Sequence, residues 1–253
     1  MRIICLVPSI TETLVECGVD IVGRTRFCIH PVDTVKNITS VAGTKDINWD
    51  KVKKLKPDLV ILDKEENTLE MAETCPYPYI ALHITGVDNV GDELNKLALK
   101  IDSLALKQIA VRWSSLAQRP AKSWSSVESI PGILAFLPGS DKKPLKSIKH
   151  IDYMIWKQPW MAIGPNTFIW SVLKILGFSE YLINREDKYP NLGENLKPDD
   201  KTLYLFSSEP YPFERYQRQL AEEGFHGAII DGECYSWYGL RSLRFLETQL
   251  SSS

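Results

Sequence analysis

Between Val87 and Leu116 the sequence VDNVGDELNKLALKIDSLALKQIAVRWSSL carries apolar residues at Val90, Leu94, Leu97, Ile101, Leu104, Ala105, Ile109, Trp113 and Leu116. These steps sustain a 3.6-residue period over about eight turns, which predicts one continuous helix about 45 Å long. Few compact domains accommodate so long a helix. The chain is therefore expected to fold as two bodies tied by it.

Both flanks support that division. Before the helix, RIICLVPS, IVGRT, DLVILDK and YIALHI read as strands. Between them SITETLVECG (capped by Ser9 or Thr11, stopped by Gly18), DINWDKVKKLKPD (capped near Asp46 or Asn48) and NTLEMAETC read as helices. After it comes a polar connector, AQRPAKSWSSVESIP, and the alternation resumes. GILAFLPG, TLYLFSS and GAIID read as strands, and NTFIWSVLKILG (capped by Asn166), FERYQRQLAEEG and GLRSLRFLETQL as helices. Apolar strands alternating with helices predict parallel sheets covered on both faces. The expected fold is α/β, two three-layer lobes joined by a single long α-helix: residues 1–85, a linking helix over 86–118, and residues 119–253.

Charge and cysteine usage narrow the function. The chain carries 30 Lys and Arg against 32 Asp and Glu, a net charge of −2. That balance gives no electrostatic reason to expect nucleic acid or an anionic membrane as partner. No window approaches the apolar length of a bilayer span, so no membrane insertion is expected. The opening MRIICLVPS reads as a strand and lacks the features of a signal peptide. The expected location is cytoplasmic as written, or periplasmic or surface-anchored if a leader has been trimmed. The five cysteines are odd in number, scattered and without a CxxC pair, so free thiols are expected and a zinc knuckle is not.

Several segments resemble one family. RIICLVPSITETLVECGVDIVGRT looks like the opening strand, Pro-Ser turn, Thr-Glu helix and Val-Gly strand of the helical-backbone, or class III, substrate-binding proteins. DINWDKVKKLKPDLVILDKEEN is similar to that family's helix and Lys-Pro-Asp-Leu-Val strand, and WMAIGPNTFIWSVLKILGF to the start of its second lobe. The resemblance implies a monomeric binding protein with no chemistry of its own. It would capture a small-molecule metal chelate (a corrinoid such as cobalamin, haem or a ferric siderophore) between its lobes for an ABC transporter permease. No covalently held cofactor is implied. Asp50 stands where the family's cobalamin-type members dock the permease, and Glu194, in a segment that looks shortened, is the second-lobe candidate.

Ligands of parallel sheets collect where loops leave the carboxyl ends of strands. That rule selects Ser9 after the first strand; Phe27, Cys28 and His30 in RFCIHP; Glu65, Glu66 and Asn67 in KEEN; Glu209 and Tyr211 in SSEPYPF; and Glu233, Ser236, Trp237 and Tyr238 in DGECYSWYG. Lys45 in GTKD could pair with an anionic ligand group or with Glu65. Cys28 and His30 alternate with Phe27 and Ile29, so in extended backbone both point one way and could ligate a metal. The other reading is a packed Cys28 thiol and a His30 imidazole that caps a turn before Pro31. Trp156, Trp160, Tyr211, Phe213, Tyr235, Trp237 and Tyr238 fall in loop segments, where flat rings suit a planar ligand. Two alternatives remain: a cytosolic enzyme acting on a tetrapyrrole or metal cofactor through Cys28, His30 and Glu233, and a cytosolic metallochaperone using the same residues.

Overall fold

Five short strands form the first sheet: β1 (Ile3–Cys5), β2 (Ile21–Thr25), β3 (Thr39–Ala42), β4 (Leu59–Asp63) and β5 (Tyr79–Leu82). A computed structural model describes residues 1–43, 45–124, 127–140 and 147–251; positions 125 and 126 of the polar connector lie outside the described residues. All four strand pairings of this sheet are parallel, in the order β3-β2-β1-β4-β5. β1 and β4 are buried at every position, which explains their unbroken apolar sequences. Ile4, Leu6, Val60 and Leu62 pack with Val52 and Met71 from the helices α3 (Trp49–Leu55) and α4 (Leu69–Glu73).

A single turn, α2 (Val32–Val35), follows β2, and the ends of the longer helices follow local chemistry. Asn48 caps α3 by accepting from the Lys51 amide, as expected. α1 (Pro8–Glu16) begins at Pro8, not at a Ser9 or Thr11 cap, and the Thr11 hydroxyl donates back to the Val7 carbonyl at 3.0 Å.

The continuous helix expected over Val87–Leu116 is instead two helices, α5 (Val87–Ile101) and α6 (Leu104–Ala117). Asp102 turns left-handed with φ 54°, and Ser103 caps α6 by accepting from the Leu106 amide. The apolar period hid this break because Ile101, Leu104 and Ala105 carry its phase across the turn. The buried set runs through Val90, Leu94, Leu97 and Ala98, then restarts at Leu106, Ile109, Trp113 and Leu116. Leu104, counted as core by the continuous reading, is 77% exposed.

The second sheet contains β6 (Ile133–Phe136), β7 (His150–Trp156), β8 (Trp160–Ala162), β9 (Asn191–Gly193), β10 (Thr202–Ser207) and β11 (Gly227–Ile230), in the order β6-β11-β10-β7-β8-β9. Its centre, β7-β10-β11, is parallel. The flanking strands β6, β8 and β9 pair antiparallel, a departure from the all-parallel expectation. The helices that follow β8 in sequence are α7 (Phe168–Ile175), α8 (Gln217–Glu222), α9 (Gly232–Ser236) and α10 (Leu240–Ser251). Thr167 caps α7; Asn166, the expected cap, sits just before it at φ 63°.

The chain divides into two units. The first comprises Met1–Gln118 and Trp237–Arg244, the second Arg119–Ser236 and Phe245–Ser253. Among the described residues no helix is long and apolar enough to cross a membrane.

Candidate functional site

The loops at the carboxyl ends of β1, β2 and β4 make the candidate site of the first unit. β1 lies between β2 and β4, so the strand order reverses there, the kind of sheet edge at which ligands of parallel sheets collect. Asn67 spans it: its side-chain amide donates to the Leu6 carbonyl at 3.3 Å, while its Oδ1 accepts from the Asp63 amide at 3.0 Å. Asp63 closes β4 and is buried, with the amides of Glu65 and Ile84 donating to its carboxylate. Burial raises the Asp63 carboxyl, and these amides with the Tyr238 hydroxyl oppose that rise. An Asp ending the apolar strand LVILD was the available signal for this residue, and sequence reasoning passed over it.

The KEEN loop is held on a short tether. Glu65 meets His83 Nε2 at 3.2 Å, and Lys45 donates to the Glu66 carbonyl at 2.6 Å. Lys45 thus binds backbone where an ion pair with Glu65 was one expectation.

Cys28 does not present its thiol. It is fully buried, with Sγ 3.2 Å from the hydroxyls of both Thr11 and Thr25. Burial pushes the Cys28 thiol up, above all other causes. Phe27 and Ile29 are exposed on either side of it. His30 is half-buried and meets the Trp237 ring edge-on at 5.5 Å. Alternation therefore holds, but the Cys28 side faces the core, because Thr25 and Thr11 supply its polar partners there. Among the described residues no group of three or more His, Cys, Asp or Glu could hold a metal ion, so Cys28 and His30 gain no further ligands.

Trp237 and Tyr238 belong to the first unit through its C-terminal segment. Trp237 is 9% exposed and lies under the Arg241 guanidinium at 5.5 Å. Arg241 makes two hydrogen bonds to Glu12, at 2.6 and 3.0 Å. Gly239 packs against α1, its amide neighbour Leu240 donating to the Thr13 hydroxyl at 2.9 Å, and Trp113 Nε1 donates to the Gly239 carbonyl at 3.2 Å. Ser9 is buried in this contact rather than open to a ligand. Glu12, Thr13 and Arg241 were not selected from the sequence, since α1 showed only a polar Thr-Glu pattern whose partners lie more than 220 residues away.

In the second unit, the loops after β10 and β11 are joined. Ser236 Oγ donates to Glu209 Oε1 at 2.9 Å, and the Gly232 amide donates to Ser208 Oγ at 3.0 Å. Asp231 caps α9, accepting from the Cys234 amide at 3.0 Å and from its thiol at 3.2 Å. Glu233 is half-buried in the first turn of α9. The expected aromatic wall splits in two. Trp160, Phe213 and Tyr235 are core residues: Trp160 stacks on Phe213 at 6.1 Å, and the Tyr235 hydroxyl donates to the Pro131 carbonyl. The loop reading missed this because Trp160 lies in β8 and Tyr235 in α9, elements that turn these rings inward. Trp156 is 41% exposed at the end of β7 and meets Tyr211 edge-on at 5.3 Å. Asp50, in the first turn of α3, and Glu194, just after β9, are both exposed.

Known proteins share this architecture. Residues 3–75 match the family model described as periplasmic binding protein. The vitamin B12 binding protein BtuF of Vibrio cholerae is 16% identical, with a TM-score of 0.63 covering 99% of this chain and 95% of that one. A possible iron-binding (periplasmic solute-binding) protein from Staphylococcus epidermidis is 17% identical, with a TM-score of 0.63 over 99% and 97% of the two chains. The periplasmic heme-binding protein RhuT from Roseiflexus sp. is 13% identical, with a TM-score of 0.62 over 99% and 96%. No curated protein matches the sequence. The α/β fold of these solved proteins is thus the fold of this chain along nearly its whole length, and residues 3–75 also match the periplasmic binding protein family model in sequence.

Proposed function

We propose that this chain is a substrate-binding protein that captures a metal chelate of the corrinoid, haem or ferric-siderophore type for import by an ABC transporter. The observation that carries the reading is end-to-end similarity of fold to proteins whose described ligands are vitamin B12, heme and iron. The side chains that the strand-end loops leave open support it. Phe27 and Ile29 in the first unit, and Trp156 beside Tyr211 in the second, offer apolar and aromatic surface to a flat ligand. Glu65, Glu66, Glu209 and Ser236 offer polar groups of a kind that orient one. The protein would recognise the chelate by its periphery, with the metal already held by the ligand's own donors. Its location would then be extracytoplasmic, and exposed Asp50 and Glu194 would contact the permease.

An enzyme built on Cys28, His30 and Glu233 is disfavoured by the buried, proton-retaining Cys28 thiol, since the thiolate is the nucleophile. Nothing specific favours a metallochaperone.

The test is titration of the purified protein with a corrinoid, haemin and a ferric siderophore, followed by tryptophan quenching. One of them is expected to bind in the micromolar range or tighter. Phe27→Ala and Trp156→Ala should each weaken binding by about 1–3 kcal/mol through lost contact and stacking, with little change in melting temperature. If none of the three binds the wild type, the reading fails.

A further inference from the structure

We infer that the outer face of the α5–α6 hairpin is a self-association surface whose partner is a second copy of this chain. The inference is independent of the ligand reading. A two-residue turn sets α5 and α6 antiparallel, and they lie close together. A Cβ on Gly91 would stand 2.2 Å from Ser114 Oγ and 3.0 Å from the Ala110 carbonyl oxygen. The close approach leaves a groove of about 440 Å³ lined by Gly91, Ala110 and Val111 and by polar side chains, among them Asp92, Asn95 and Ser114.

Large apolar side chains stand beside this groove. Leu99 is 67% exposed, Leu104 77% and Val111 58%. Asp92, Asn95 and Leu99 follow steps of three and four along α5, and Leu104 and Val111 are two turns apart on α6, so each set shares one helix face. Three such residues together on one hairpin differ from single apolar residues scattered over a surface.

Charge identifies the occupant. Asp88 and Asp92, both exposed, stand toward the open end of the hairpin. Lys100 and Lys107 flank the turn with Asp102 between them, and Lys96 is paired with Glu93. Arg112 of α6 is only half-buried near the open end; the exposed charges of the hairpin are acidic at that end and predominantly basic at the other. A two-fold axis perpendicular to the hairpin sets each acidic end against the basic end of the other copy, and brings Leu99 and Val111 over the opposing groove. An anionic bilayer would meet Asp88 and Asp92 with the wrong sign. Two helices about 21 Å long present a face at the low end of specific interfaces, so the dimer should be weak and concentration-dependent.

Sedimentation velocity of the full chain over a concentration series tests this. The wild type should pass from monomer to dimer as concentration rises. Val111→Glu should weaken the dimer about tenfold or more, a loss of about 1.4 kcal/mol or more. Asp92→Lys and Lys107→Glu should each weaken it, and the double variant carrying both should recover it, because the exchange restores opposite charges across the axis. Circular dichroism melts of the same samples establish that each variant is folded. A wild type that stays monomeric, including one that sediments with anionic phospholipid vesicles instead, overturns the inference. So does a dimer indifferent to Val111→Glu, or a double variant as weak as its parents.

Discussion

Arg241 grips Glu12 through both carboxylate oxygens across 229 residues of sequence. Through this pair and the Thr13–Leu240 hydrogen bond, the segment Trp237–Arg244 is fixed to the first helix. Glu12 is buried, so removing either partner leaves a charge poorly solvated. Glu12→Gln and Arg241→Met should each cost about 2–4 kcal/mol in urea unfolding. The double variant should cost clearly less than their sum. Strict additivity would show that the pair is not coupled.

Gly239 is held where no other residue fits. A Cβ there would lie 2.2 Å from Thr13 Oγ1 and 2.7 Å from the Ser9 carbonyl oxygen. Gly239→Ala is expected to destabilise by about 1–3 kcal/mol, as overpacking does. Adding Thr13→Ala should recover only part of the loss, since the Ser9 backbone stays in place. Melting temperatures of the two variants decide this; full recovery would place the conflict in the hydroxyl alone.

The helix break at Asp102 can be probed by backbone preference. Its φ of 54° suits glycine and strains a β-branched residue. Asp102→Gly should leave the melting temperature nearly unchanged, whereas Asp102→Val should cost about 1–2 kcal/mol. Ser103→Ala, which removes the α6 cap, should cost about 1 kcal/mol. Equal effects of glycine and valine would contradict the left-handed turn.

None of the five cysteines is in a disulfide, and two are beyond reach in the folded chain. Burial pushes the Cys5 thiol up to about 12 and raises Cys28. A disulfide-exchange reagent should count five thiols in denaturant without reductant. In the native protein Cys5 and Cys28 should be the last to react, and rapid labelling of either would refute their burial.

Those same groups predict alkaline sensitivity. A thiol raised on folding keeps its proton after the unfolded chain has lost its own. Its contribution to stability is therefore fully present below about pH 9 and is lost as pH rises toward 12, the folded value for Cys5. Buried Tyr153, Tyr235 and Tyr238, also raised by burial, add to the loss above about pH 10. Each group steepens the decline by up to about 1.4 kcal/mol per pH unit. Urea midpoints at pH 8, 9, 10 and 11 should fall with increasing slope, and a flat series would disprove it.

The sequence by itself determined the alternation of elements, the two α/β sheets and the segments that leave their strand ends. Unbroken apolar strands such as LVILD and period-3.6 helices express local geometry and burial, both of which repeat along the chain. The tertiary structure alone decided which of those loop residues face solvent. Cys28 turns inward because two threonines from different elements receive its thiol, and Trp160 and Phe213 do so because they stack on each other. It also decided that α5 and α6 are two helices: an apolar series that keeps its phase through Ile101, Leu104 and Ala105 cannot register one aspartate turning left-handed. Finally, it joined Glu12 to Arg241. No period or spacing links residues 229 apart, because their proximity depends on the whole intervening chain having folded.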